Sequence, residues 1–295
     1  MPLPPALEAF RERLYEDRPP KTAVQIAQTS VQTADLDELF EYLASKTFRE
    51  QVFEQAPVLM HINGGSLVES QGLLSLSSIL AQPWRYSGEH GLARRESHED
   101  SSHQYNKTSA TITSALQHGI LRKLEVLTDA SHSHGISFVQ GSFCKYHHAY
   151  KPGEAVGGEA IQRELRQGYT AVANSVQGWI PEVATLTQRF SQVMERIVNV
   201  NMYMSAPCAS PSLVTSMAPH NDRQCTFIVQ LHGRKRWRLW LPPSLLLEVL
   251  VFGKNDESLL DESKLGPPIL EVDLEPSDVL YVPRGCIHAI PVWHG

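Results

Sequence analysis

Cysteine is scarce in this sequence. Its four copies among 295 residues, Cys144, Cys208, Cys225 and Cys286, include no C-x-x-C pair. That spacing excludes a disulfide framework and a zinc knuckle, and reads as buried free thiols in a reducing compartment. Long apolar runs are lacking as well, since no stretch approaches the ~18 residues that a membrane-crossing helix requires. The opening MPLPPALEAFRERLYEDRPP has no apolar core of the signal-peptide kind. The expectation is an intracellular protein with no membrane partner. Positive charge is in deficit: 26 Lys and Arg stand against 32 Asp and Glu, a formal charge of −6. Direct nucleic-acid binding is therefore not expected. No internal repeat is present.

What is there falls into two textures. Residues 1–35 are rich in Pro, Gln and Thr and read as loosely ordered. Leu36, Leu39, Phe40 and Leu43 then recur at i, i+3, i+4, i+7, an amphipathic helix behind Asp35 as its N-cap. A short helix over Phe48 to Gln55 and a strand over Val58 to Ile62 follow. Residues 36–125 thus read as a helical and mixed flank, with 87–109 an exposed polar loop. Further on come a short helix over 159–167 and a strand from Tyr169 to Ala173. Val183, Leu186, Phe190, Val193, Met194 and Ile197 mark a helix from Pro181 to Ile197. Beyond it, short β-type runs alternate with turns: Val198 to Met204, Thr226 to Leu231, Lys235 to Leu241, Val279 to Val282 and Cys286 to Ile290. Such spacing predicts a sandwich or barrel. The fold class expected is α+β with a mainly β core, a barrel domain over 126–295 with helices packed outside.

His220-Asn221-Asp222 carries the first chemical signal. In extended backbone, residues i and i+2 face the same way, so an H-x-D aims an imidazole and a carboxylate at one point. A second imidazole from elsewhere would complete two histidines and one carboxylate on one side of a metal, the facial arrangement of non-haem Fe(II) oxygenases. The pattern is short, and His98-Glu99-Asp100 matches it too. Context separates them: the latter lies in the polar loop, whereas His220 leads into TFIVQL.

The second signal is TFIVQL-HG-RKRWRLW, read as a hairpin turning at His232-Gly233. On its returning strand Lys235, Trp237 and Leu239 share one face, and Arg234, Arg236 and Arg238 the other. Two readings of Lys235 stand at this point. Facing inward, its ammonium needs an anionic partner such as a dicarboxylate; facing outward, it is one more solvated member of a basic run. The third signal is LEPSDVLYVPRGCIHAI (274–290), where Cys286, His288 and Ile290 share a strand face. His288 alone reads as a core histidine bonded to backbone, and in company with H-x-D as a third ligand. His132, His134, His147 and His148 have no carboxylate spaced to join them and read as surface or loop residues.

Together these segments resemble the JmjC-domain ribosomal oxygenases, the family of bifunctional lysine-specific demethylases and histidyl-hydroxylases. The resemblance is carried by APHNDRQCTFIVQLHGRKRWRLW and GPPILEVDLEPSDVLYVPRGCIHAI, with FEQAPVLMHI and NMYMSAP in support, and runs from about residue 36 to the end. It implies a double-stranded β-helix (cupin barrel) and His220, Asp222 and His288 as ligands of Fe(II). It implies Lys235 as the lysine binding the distal carboxylate of 2-oxoglutarate, with Asn201 and Tyr203 lining the same pocket. Between those two and His220 the chain carries extra residues, Cys208 to Thr215. The implied partner is a protein substrate, a ribosomal protein hydroxylated on histidine or a histone tail demethylated on lysine, in the nucleus or nucleolus, with the cytoplasm as the alternative. A homodimer is implied for a longer form. The family continues into a closing strand where this chain stops seven residues past His288, so a C-terminally truncated form is expected. The competing readings are a catalytically silent cupin that only binds, and a small-molecule oxygenase with a narrow enclosed pocket.

Overall fold

The computed structural model describes residues 21–63, 75–87, 135–146, 150–206, 215–241 and 260–291, with isolated positions before residue 21. Two four-stranded sheets form the barrel. The first has the order β1 (Ser30–Thr33), β2 (Val58–Ile62), β13 (Asp278–Val282), β10 (Thr226–Val229), antiparallel except for the β1–β2 pair. The second is antiparallel throughout, in the order β12 (Leu270–Leu274), β11 (Lys235–Trp240), β14 (Ile287–Pro291), β9 (Thr215–His220). Leu280 and Val282 from the first sheet and Trp237, Leu239, Leu274, Ile290 and Met217 from the second belong to one buried cluster, so the sheets face each other across it. This is a double-stranded β-helix.

Alternation along β13 explains why all five of its residues are buried. Leu280 and Val282 point into the barrel, while Val279 and Tyr281 join a second cluster under the helices. That outer layer is α2 (Leu36–Ala44), a single π turn (Phe48–Val52) and α5 (Pro181–Met194), with α1 (Lys21–Ala27) ahead of β1. α2 starts where its sequence predicts: the Asp35 side chain accepts from the Glu38 amide, and the Glu38 carboxylate accepts from Ala34 N–H. These reciprocal bonds satisfy amides at the helix start that have no intrahelical partner. Leu36, Leu39, Phe40 and Leu43 are buried, and Phe40 meets Phe190 of α5 edge to face at 4.9 Å. α5 opens on Pro181 and ends at Glu195 in left-handed backbone, short of the Ile197 expected.

A third sheet, in the order β6 (Ala155–Val156), β3 (Trp84–Tyr86), β4 (Gly135–Gln140), β7 (Thr170–Ala173), β8 (Met202–Met204), flanks the barrel, with β5 (Ser142–Tyr146) paired to β4. It is covered by α3 (Leu76–Leu80) and α4 (Gly158–Arg166). An Ala218 N–H donating to Gly141 O at 2.8 Å ties it to β9.

Three expectations need correction. TFIVQL and RKRWRLW do not form a hairpin: β10 pairs with β13 and β11 with β12 and β14, so the His232-Gly233 turn carries the chain from one sheet to the other. Turn residues specify a reversal of direction, with Gly233 supplying φ +65, but not a partner. The 1–35 segment is not uniformly loose, because Lys21–Ala27 is helical and Ser30–Thr33 pairs with β2. Elements this short gain their order from tertiary pairing rather than propensity. The strand read over Val198 to Met204 is limited to Met202–Met204. The boundary expected near residue 126 and the polar loop 87–109, apart from Ser87, lie outside the described residues.

Candidate metal centre

Strand register brings the two histidines together. In the antiparallel β9–β14 pair, His220 lies directly opposite His288, and their rings are 4.3 Å apart between centroids. Directly opposed residues are the closest side-chain neighbours a sheet offers. β9 ends at His220, so Asp222 sits two residues past the strand. Its position is set by backbone: the Gly285 N–H, in the turn before β14, donates to Asp222 O at 2.8 Å. The Asp222 carboxylate then stands 3.6 Å from His288 Nε2. One potential ligand atom from each of His220, Asp222 and His288 lies within 4.8 Å of the others, the one such group among the described residues.

The histidine hydrogen bonds fit a cation. His220 Nδ1 lies 2.8 Å from Ala218 O, and His288 Nδ1 lies 3.1 Å from Cys286 O. A carbonyl only accepts, so in each neutral ring Nδ1 carries the proton and Nε2 keeps its lone pair. Each histidine uses the carbonyl two residues before it, an arrangement that fixes ring orientation and tautomer in metal ligands. Both imidazoles are buried, at 3% and 6% exposure. Two neutral imidazoles and one carboxylate from one side are the donor set that suits a divalent first-row metal with open positions opposite.

Lys235 heads the inward face of β11, followed by Trp237 and Leu239, both buried in the barrel cluster. The outward arginines are matched to acids: Arg236 grips Asp273 with two bonds of 2.6 and 2.8 Å, Arg238 reaches Glu262 and Glu271, and Arg234 pairs with Glu275. Lys235 has no such match. Although half-buried by whole-residue area, its ammonium is desolvated with no compensating charge among the described residues, which brings its pKa down to about 8. Leu239, on the same face, is the register partner of His288, and the Trp237 ring lies 5.8 Å from the His288 ring.

Tyr203, on β8, keeps 42% of its surface exposed. Its hydroxyl is nevertheless desolvated and feels the Asp222 carboxylate, which together push its pKa up to about 12, against a hydrogen bond with Asn201. Asn201 is exposed, and its Oδ1 also accepts from Ser175 N and Asn199 Nδ2. Tyr203 is thus close enough to the triad to sense its charge, while Asn201 is linked to it through the Tyr203 hydroxyl. His98, His132, His134, His147 and His148 lie outside the described residues. Sequence reasoning did not single out Trp237 as a site residue; its one signal was the face it shares with Lys235.

Residues 180–292 match a family model described as the JmjC domain. Among curated proteins, the bifunctional lysine-specific demethylase and histidyl-hydroxylase NO66 of Drosophila yakuba is 37% identical over 107 residues, 36% of this chain and 14% of the relative. The protein of that name from Culex quinquefasciatus is 34% identical over 112 residues, 38% and 16% of the two chains. The chain therefore spans only a small part of these relatives' length. Among solved structures, Escherichia coli YcfD is 17% identical with a TM-score of 0.44, over 83% of this chain and 48% of that one. The same ribosomal oxygenase, in complex with cobalt and 2-oxoglutarate, is 23% identical over 53% of this chain and 36% of that one, with a TM-score of 0.35.

Proposed function

We propose, from the JmjC domain that residues 180–292 carry, that this protein is an Fe(II)- and 2-oxoglutarate-dependent oxygenase acting on a protein side chain. The observation carrying the proposal is the convergence of His220, Asp222 and His288, with both Nδ1 atoms committed to backbone carbonyls. When bound, ferrous iron and 2-oxoglutarate supply the O₂-dependent oxidation that inserts oxygen into a C–H bond. The protein's residues position and protect that chemistry. His220 and His288 present Nε2, and Asp222 contributes charge, all from one side. Lys235 neutralises the far carboxylate of the cosubstrate, and the apolar barrel wall of Trp237, Leu239 and Ile290 keeps water from the oxidising centre. Tyr203 borders the same site, its desolvated hydroxyl facing the charge of Asp222.

The curated relatives are named for histidyl hydroxylation and lysine demethylation, and the solved relative is a ribosomal oxygenase. A histidine of a ribosomal protein is accordingly the leading substrate, with a methylated lysine of a histone tail second. The test is incubation with Fe(II), 2-oxoglutarate and ribosomal-protein peptides, following succinate and gain of one oxygen atom by mass. Turnover is expected in the native protein and absent in His220→Ala. Peptide oxidation that persists undiminished in His220→Ala would refute the assignment.

A further inference from the structure

Among the described residues, few buried polar side-chain atoms have no hydrogen-bond partner, and one of them is Trp237 Nε1. The residue is 7% exposed, so solvent does not serve this donor. Buried N–H groups in native proteins almost always have an acceptor, and one that lacks it marks a place where a ligand or ordered water belongs. Two other buried tryptophans among the described residues keep the rule: Trp84 Nε1 donates to Ile79 O at 2.8 Å, and Trp240 Nε1 to Gly266 O at 3.0 Å.

The position of the orphan donor identifies its acceptor. Trp237 is two residues after Lys235 on β11, so both side chains leave the same face of the strand, toward the barrel interior. Lys235 likewise has no carboxylate partner among the described residues. Along β11 Trp237 lies between Lys235 and Leu239, the register partner of His288, and its ring is 5.8 Å from the His288 ring. Two unmatched donors, one cationic and one neutral, suit a carboxylate, whose two oxygens accept separately; a spherical anion engages such a divided pair less well.

We propose that Trp237 is a cosubstrate-binding residue, its indole N–H donating to one oxygen of the carboxylate whose charge Lys235 neutralises. This rests on the 2-oxoglutarate reading above and extends it by assigning the second donor. The anion seat is then selective for a planar carboxylate end. Phenylalanine fills most of the indole's volume but has no N–H, so it removes the bond while keeping the wall.

The test uses the full chain labelled with ¹⁵N at tryptophan, loaded with Mn(II)-free Zn(II) as a redox-silent ion and titrated with 2-oxoglutarate. The indole resonance that disappears in Trp237→Phe is expected to shift on binding, and that variant to bind 2-oxoglutarate about tenfold more weakly, the range of one charge-assisted hydrogen bond. Its Zn(II) affinity should be unchanged, which a purely structural role for Trp237 beside His288 would not predict. Equal 2-oxoglutarate affinity in the two proteins, or loss of zinc and 2-oxoglutarate binding together, overturns the proposal while leaving the oxygenase reading intact. Should Trp237→Phe not fold, the native protein still decides: 2-oxoglutarate binding without movement of any indole N–H resonance overturns it. Failure of the native protein to bind 2-oxoglutarate at all overturns both readings.

Discussion

Lys235 is the residue on which pH dependence turns. Its folded pKa of about 8 lies below the ordinary 10.5 because burial disfavours the ammonium. The charged form is the one that binds a carboxylate, so 2-oxoglutarate affinity should be greatest below pH 8 and fall as pH rises through it, as calorimetry across pH 6.5–9.5 would check, on the order of three pH units. Stability of the ligand-free protein has the opposite slope. Between about 8 and 10.5 the unfolded chain binds the proton that the folded one has lost, so this group's contribution to stability rises with pH there. Lys235→Met should abolish the first slope, remove the second, and leave a protein no less stable at neutral pH. Tyr281 offers a structural counterpart away from the site. Its hydroxyl accepts from Glu54 N–H at 2.9 Å and donates to Cys225 Sγ at 3.3 Å, with the ring fully buried. Tyr281→Phe leaves that amide without its acceptor and should cost about 1–3 kcal/mol in urea denaturation, without affecting metal affinity.

At the scale of elements, β11 divides its chemistry between two faces. The inward face supplies Lys235, Trp237 and Leu239, and the outward face sets Arg236 opposite Asp273 and Arg238 opposite Glu271 on β12. Cross-strand ion pairs of this kind add little stability each, but they neutralise what looks in sequence like a basic patch. A gel-shift titration at physiological salt is therefore expected to show no binding of duplex DNA by this face. Much of the element layout was legible beforehand. The α2 helix follows from Asp35 and the spacing of Leu36, Leu39, Phe40 and Leu43, and α5 from Pro181 and its apolar stripe. The partner of β10 was not legible, because alternation tells which face of a strand is buried but not against which sheet. The pairing of β1 with β2 was hidden for a related reason: four residues, Ser30 to Thr33, carry too little pattern to stand out.

The same division holds for the candidate site. His220 and Asp222 could be paired from the H-x-D spacing, and His288 drew attention through the strand around it. Their meeting point depends on the β9–β14 register and on the Gly285–Asp222 backbone bond, neither of which any local pattern encodes. Trp237 was missed because its unmatched N–H is a property of the folded barrel, not of the sequence.

For the whole molecule, the triad joins the neighbouring pair His220 and Asp222 to His288, 66 residues beyond Asp222, across one sheet and its loop. A cation bound there favours the folded chain alone and stabilises it by mass action, by about 2.7 kcal/mol at a hundredfold excess over Kd. The melting temperature should rise accordingly with Zn(II) or Mn(II), and not in His288→Ala.

The most direct test of the central claim is the stoichiometry of Co(II) binding, followed by calorimetry under argon on the native protein and on His220→Ala, Asp222→Ala and His288→Ala. One ion per native chain is expected, with affinity lowered about a hundredfold or more in each variant and folding retained by circular dichroism. Binding of one ion with native affinity by any of the three folded variants would contradict it.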